Sequence, residues 1–187
     1  MKNIFFKNKK NAATPNGFTL VETLVAISIF SLSILGLMSV LSQGIADINY
    51  AKQRMVAEYL AQEGIEYVRN MRDIYTLYDP QSGQEGWDDF RAKLAPCSAA
   101  TCGFDALVDK KSAGSVFQCP PENCDLYLLG GAYNTSVYGG TNSGFRRQIQ
   151  AVQTTADEVQ VYSRVSWTQG SGLKEVTFYE TLFNWVD

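Results

Sequence analysis

The 187-residue sequence contains no histidine. That removes the commonest general base, the Ser-His and Cys-His nucleophile pairs and every His-ligated metal site. No G-x-x-x-x-G-K-[ST] phosphate loop is present either. Charge is missing between Glu22 and Asp47, and proline between Pro15 and Pro80. Basic charge is scarce outside the first residues. The formal net charge is −3, and Lys2, Lys7, Lys9 and Lys10 all lie before Phe18; without them 12 basic residues face 19 acidic ones, or −7. An acidic chain with no stretch of Lys/Arg mixed with aromatics argues against a nucleic-acid surface. In the middle of the chain the acid clusters are Asp88/Asp89 and Asp105/Asp109. They are expected to be solvated loop residues rather than catalytic pairs, and no enzyme activity is expected.

What is present begins with a basic, polar segment, residues 1–17, followed by an apolar run over residues 18–41. About 20 helical residues span the ~30 Å hydrocarbon core of a bilayer. Lysines before the run orient its start toward the cytoplasm and the rest of the chain outside. The run is longer than the 7–15 apolar residues of a secretory signal and no A-x-A-like exit follows it, so a cleaved signal peptide is disfavoured. Within this run stands one acid, Glu22. An ionised side chain near the centre of a membrane helix costs about 2.5–3.5 kcal/mol on insertion scales, which marks such a residue as functional unless it snorkels to the interface. Five residues after Gly17, Glu22 could do either.

Helical periodicity continues past the apolar run. Val56, Leu60, Gly64, Tyr67, Met71 and Ile74 recur at spacings of three and four, one face of an α-helix. A single helix from about Phe18 to about Asp73 is expected, roughly 80 Å at 1.5 Å per residue. Its first half would be apolar all round, and its second amphipathic and packed on a sheet. Gly36, Gly44 and Gly64 are its weak points.

Residues 79–144 are rich in Gly, Ser, Pro, Asn and Asp. The stretches DPQSGQEGWDDF and YGGTNSG read as loops, with short strands expected at Val116–Gln118 and Asp125–Leu129. After residue 144 the pattern is clearer. FRRQIQAVQ reads as a strand supported by Phe145, Ile149 and Ala151. VQVYSRVSW alternates Val159, Val161, Val165 and Trp167 with polar residues, and LKEVTFYETLFNW puts Val176, Phe178 and Leu182 on one face. Period two with short turns predicts an antiparallel meander, covered by the amphipathic half of the helix.

The four cysteines form two close pairs, Cys97 with Cys102 and Cys119 with Cys124. An even count in an exported chain reads as disulfides, for which three connectivities exist. Local pairing is favoured, because each short loop keeps its partners close. A zinc site from two C-x4-C halves and free structural thiols are the alternatives. A Ca²⁺ site from loop oxygens is conceivable, at no assignable position. No other cofactor is expected.

The hexapeptide GFTLVE, Gly17 to Glu22, preceded by a basic leader and followed by an apolar helix, resembles the processing site of type IV pilins and type II secretion pseudopilins. The resemblance implies that a prepilin peptidase cuts between Gly17 and Phe18 and methylates the new amino terminus at Phe18. Gly17 suits a protease that must bring its own carboxylates close to the backbone. The resemblance also gives Glu22 a role, pairing with the amino terminus of an adjacent subunit. Two opposite charges in the bilayer offset part of each other's cost and can fix register even where they add little stability. AEYLAQEGIEYVRNMRD, Ala57 to Asp73, and the ending from FRRQIQAV to LFNWVD resemble minor pilins of the I/V type.

The expected organisation is therefore a leader (1–17), a membrane and assembly half-helix (18–44) and an extracytoplasmic α+β, pilin-like domain (45–187). That domain holds a variable Cys-containing region (79–144) and terminal strands (145–187). The implied partners are the prepilin peptidase, other pilin or pseudopilin subunits, an inner-membrane assembly platform and membrane lipid. The implied location is the inner membrane, crossed once, and then a pilus or pseudopilus. The competing class is a membrane-anchored extracytoplasmic binding module that never polymerises.

Overall fold

The computed structural model describes residues 17–78, 83–119, 124–135 and 139–185. Residues 1–16 of the expected leader lie outside them, as do residues 79–82 and Tyr138 of the two stretches expected to be loops. The chain divides into two compact units, Met1–Asp47 and Ile48–Asp187.

The longest element is α1, Leu20–Leu77, of 58 residues. Within the first unit it buries nothing. All described residues there are exposed except Gly44, which is half-buried. The helix is long and apolar enough to cross a membrane. Three of its hydroxyls are satisfied within the helix itself: Thr23 Oγ1 donates to the Leu20 carbonyl, Ser28 Oγ to Leu24 and Ser33 Oγ to Ile29, each at 2.8 Å. Back-bonding of this kind removes the need for an outside partner.

In the second unit α1 packs on an antiparallel sheet of seven strands. The strands are β1 (Cys102–Phe104), β2 (Val116–Gln118), β3 (Asp125–Leu129), β4 (Ala132–Asn134), β5 (Thr141–Thr155), β6 (Glu158–Gln169) and β7 (Gly172–Phe183). The long β5 is the hub. One side pairs along β6, which carries β7; the other pairs with β3 near its start and with β1 at Ile149. The expected α+β architecture, a long helix on an antiparallel sheet, is the one observed. Strands β2 and β3 also fall where the sequence places them.

Alternation decides which side of the sheet is buried. Phe145, Ile149 and Ala151 of β5, Val159, Val161, Val165 and Trp167 of β6, and Leu182 of β7 all turn inward. They meet Leu60, Tyr67 and Met71 of α1, as the helical spacing requires, together with Ala57, Ala61, Ile65, Val68 and Tyr75. The buried stripe is thus wider than expected, while Val56 and Ile74 end up half-buried at its margins. Gly64 sits where the helix lies close against β5 and β6. A Cβ there would lie 2.2 Å from Ser163 Oγ and 2.9 Å from Ile149 Cδ1.

Two expectations are corrected. The stretch read as a loop through Phe90 instead forms most of α2, Gln84–Leu94, followed by the short α3, Pro96–Ala99. Trp87, Phe90 and Leu94 share one face and are fully buried, so the burial of three large side chains overrides the Gly- and Asp-rich composition. Trp87 Nε1 donates to the Ala156 carbonyl at 2.8 Å, which ties α2 to the β5–β6 turn. Second, residues 141–144, also read as loop, open strand β5, where Thr141 pairs with Leu128 and Asn142 with Tyr127. The expected meander of β5, β6 and β7 is observed, within a larger sheet to which β1 and β4 also belong; those two strands have three residues each and carry too little pattern to be read.

Candidate functional site

The residues singled out for processing and assembly lie at the start of α1. Gly17, Phe18 and Thr19 precede the helix, and Phe18 is 80% exposed. Thr19 is the N-cap: its Oγ1 accepts the backbone N–H of Glu22 at 3.2 Å, and its carbonyl accepts the N–H of Thr23 at 3.2 Å. A Thr followed three residues later by Glu is the capping-box spacing. Glu22 therefore lies in the first helical turn, where the unpaired N–H groups and the helix dipole favour negative charge. Its side chain is exposed, with apolar neighbours Leu20, Val21, Leu24 and Val25 exposed around it. The local structure thus presents one carboxylate on an apolar rod, a short distance along the chain from the Gly17–Phe18 bond.

The cysteines are bridged as Cys97–Cys102 and Cys119–Cys124, with Cα–Cα distances of 5.3 and 5.5 Å. Bridged sulfurs are not thiolate ligands, so the zinc alternative has no ligands here. The first bridge joins α3 to β1. The second joins the residue after β2 to the residue before β3.

The acid clusters do not converge. Asp88 faces Gln84 and Arg91 on the exposed side of α2, and Asp89 is exposed. Asp105 accepts from the Leu107 N–H at 2.9 Å and from Asn134 Nδ2 at 3.1 Å, while Asp109 accepts from the Lys111 N–H at 2.8 Å. The bonds from Leu107 and Lys111 stabilise local turns, and the one from Asn134 ties the first turn to β4. Among the described residues no group of three or more acids and cysteines is placed to hold a metal.

The most unusual charge arrangement is one the sequence reading passed over. Arg147 lies between Phe145 and Ile149, and the same alternation that buries those two buries it, to 1% exposure. Its guanidinium lies 3.8 Å from the centroid of Phe104, which stacks on Tyr67 at 3.9 Å, and its Nη1 donates to Glu63 at 2.5 Å. Burial lowers the Arg147 pKa, an effect opposed by the Glu63 carboxylate. Burial likewise raises that of Tyr67, although its hydroxyl donates to the Ser115 carbonyl at 3.2 Å. The signal was available: period two places residue 147 inside.

On one flank of α1 the second unit has an apolar cavity of about 670 Å³. Tyr59 and Leu60 of α1 line it, with Leu107 after β1 and Leu129 and Tyr133 of the β3–β4 hairpin; Glu63 contributes its polar wall. Small-molecule sites fall in this size range and are mostly apolar with few polar groups. On the other flank Glu180 holds Arg69, the hydrogen bond raising the Arg69 pKa.

Residues 15–38 match the family described as the prokaryotic N-terminal methylation motif. That span includes Gly17, Phe18 and Glu22. Comparison with curated proteins returned no match, and comparison with solved structures returned none. The motif indicates a type IV pilin-like precursor, a structural rather than catalytic class. Together with a long apolar N-terminal helix it fits a membrane-anchored pilin.

Proposed function

We propose that this chain is a minor pilin or pseudopilin, a filament subunit that helps to form a tip or priming complex. The methylation motif over residues 15–38 carries the reading. A prepilin peptidase cuts between Gly17 and Phe18 and methylates the Phe18 amine. The apolar part of α1 holds the processed subunit in the inner membrane, with the sheet domain outside the cytoplasm, until an assembly platform transfers it into the filament. Glu22 pairs with the positive terminus of an adjacent subunit. In a medium of low dielectric each of these charges is costly alone, and their pairing selects one register among many apolar contacts of similar energy.

The test is the mature amino terminus, read by mass spectrometry on protein from cells with the pilus or secretion machinery. The expected first residue is N-methylated Phe18. A chain still beginning at Met1, or cut elsewhere, overturns the reading.

The cavity beside Leu60 and Leu129 favours a second reading, an anchored binding module that never polymerises. The two readings part at Glu22, which the second does not need.

A further inference from the structure

The two disulfides differ in what can reach them. Cys97 and Cys102 are fully buried, and Cys124 is 1% exposed; Cys119, half-buried, is the one of the four with appreciable solvent contact. Thiol–disulfide exchange requires a thiolate to reach a sulfur, so access governs which bridge reacts. We propose that Cys119 is a thiol-exchange site, at which an exported dithiol/disulfide protein opens and closes the Cys119–Cys124 bridge while Cys97–Cys102 stays intact.

The step balances as follows. A thiolate of the partner attacks Cys119 Sγ, a mixed disulfide forms, and Cys124 leaves as a thiolate that takes up a proton. The partner's second thiolate then attacks its own bridged sulfur and releases Cys119. The partner's dithiol is oxidised to a disulfide and this bridge is reduced to two thiols; closure is the reverse, driven by an oxidised partner.

The fold gives the opening a local consequence. Strand β2 pairs with β1 over only three residues, and the Cys119 N–H extends that ladder to the Thr101 carbonyl at 2.8 Å. On its far side the bridge ends at Cys124, whose carbonyl accepts from the Arg147 N–H at 3.0 Å. Cys124 Sγ lies over Gly103, where an added Cβ would come within 2.8 Å of it. The bridge therefore clasps β2 across β1 to the inner strands. Opening it frees a short strand on the margin of the sheet and leaves α1, β5, β6 and β7 packed.

The inference rests on the second unit lying outside the cytoplasm, which belongs to the proposed function, but its chemistry is tested separately. Full-length protein in detergent is treated with graded dithiothreitol, trapped with N-ethylmaleimide and mapped by peptide mass spectrometry. Cys119 and Cys124 are expected to be labelled at a dithiothreitol concentration at least about tenfold below that which labels Cys97 and Cys102. Hydrogen exchange should then rise at residues 116–118 and stay unchanged in β6. In a second arm, a thioredoxin-type protein lacking its resolving cysteine should be captured on Cys119. Joint reduction of both bridges, earlier reduction of Cys97–Cys102, or capture on Cys124 overturns the proposal. If exchange follows the expected order in vitro while all four cysteines are reduced in cells, the placement outside the cytoplasm fails and the exchange chemistry stands.

Discussion

The two stretches of α1, Leu20–Asp47 and Ile48–Leu77, are parts of one helix with opposite relations to their surroundings. In the first, large apolar residues such as Phe30, Leu35 and Leu41 are exposed on every side. In the second, the buried apolar residues lie along one stripe against the sheet, while Ile48, Met55 and Tyr59 stay exposed. The difference lies in periodicity rather than in apolar content. A stripe at three- and four-residue spacing can be satisfied by one sheet face. A helix apolar all round needs an apolar medium on every side, lipid or other such helices. In the second stretch charge serves packing, as Glu63 does for Arg147; in the first, the Glu22 side chain has no ion-pair partner among the described residues.

The sharpest way to break this contrast is to remove the one charge from the first stretch. Glu22→Ala and Glu22→Val should leave membrane insertion intact or improved. Incorporation into filaments should fall by about tenfold or more, since leaving a neighbour's amino terminus unpaired in hydrocarbon costs on the order of 2–3 kcal/mol. Immunoblots of sheared filaments against membranes measure the ratio. An unchanged ratio would remove Glu22 from assembly and leave the anchored binding module as the better reading.

Core truncation in the second stretch's surroundings should do the reverse. Trp87 is fully buried and its Nε1 is hydrogen-bonded. Trp87→Ala is expected to cost about 3–5 kcal/mol of unfolding free energy, read by denaturant titration of the full chain in detergent. Cleavage at Gly17–Phe18 should proceed as before. If Trp87→Ala also blocks processing, the two regions are not independent.

Charge gives a smaller effect. Glu63→Ala leaves the Arg147 guanidinium buried without its carboxylate. Breaking a buried pair costs about 3–5 kcal/mol, but the Glu63 side chain is 44% exposed, so a loss of about 2 kcal/mol is expected here. Arg147→Met, which removes the buried charge and keeps the volume, should be milder than Glu63→Ala. The reverse order would mean that the stacking of Arg147 on Phe104 outweighs its charge.

How far these regions could be read from sequence follows the same division. Long periodic segments were legible: α1 as one helix, the alternation of β5 to β7, and the motif from Gly17 to Glu22, whose parts constrain one another. Of the three-residue strands, β2 was placed and β1 and β4 were not, because alternation over three residues carries almost no information and does not separate strand from loop. Helix α2 was hidden by its composition. Gly83, Gly86, Asp88 and Asp89 suggest a turn, whereas Trp87, Phe90 and Leu94 have the spacing of a helix face, and burial decided in favour of the spacing. Arg147 was hidden by its type: an arginine on the inward phase of a strand is easily taken for a surface residue until Glu63 and Phe104 are placed beside it.

The finest test uses the same substitution twice on one helix. Gly64→Ala places a methyl group 2.2 Å from Ser163 Oγ and 2.9 Å from Ile149 Cδ1. The ~1 kcal/mol of helix propensity gained over glycine is outweighed by overpacking, typically 1–3 kcal/mol, so a net loss of about 1 kcal/mol is expected. Gly36→Ala meets nothing within 4 Å. In the isolated chain only the propensity gain remains, and stability measured by unfolding in detergent should be unchanged or slightly higher. Inside a filament the outcome depends on what faces Gly36, since small residues let neighbouring helices approach closely. A Gly36→Ala subunit that is stable alone yet poorly incorporated would locate a helix–helix contact at that position. A Gly36→Ala chain destabilised in isolation as much as Gly64→Ala would show that the first stretch packs within its own chain, and the contrast between the two stretches would fail.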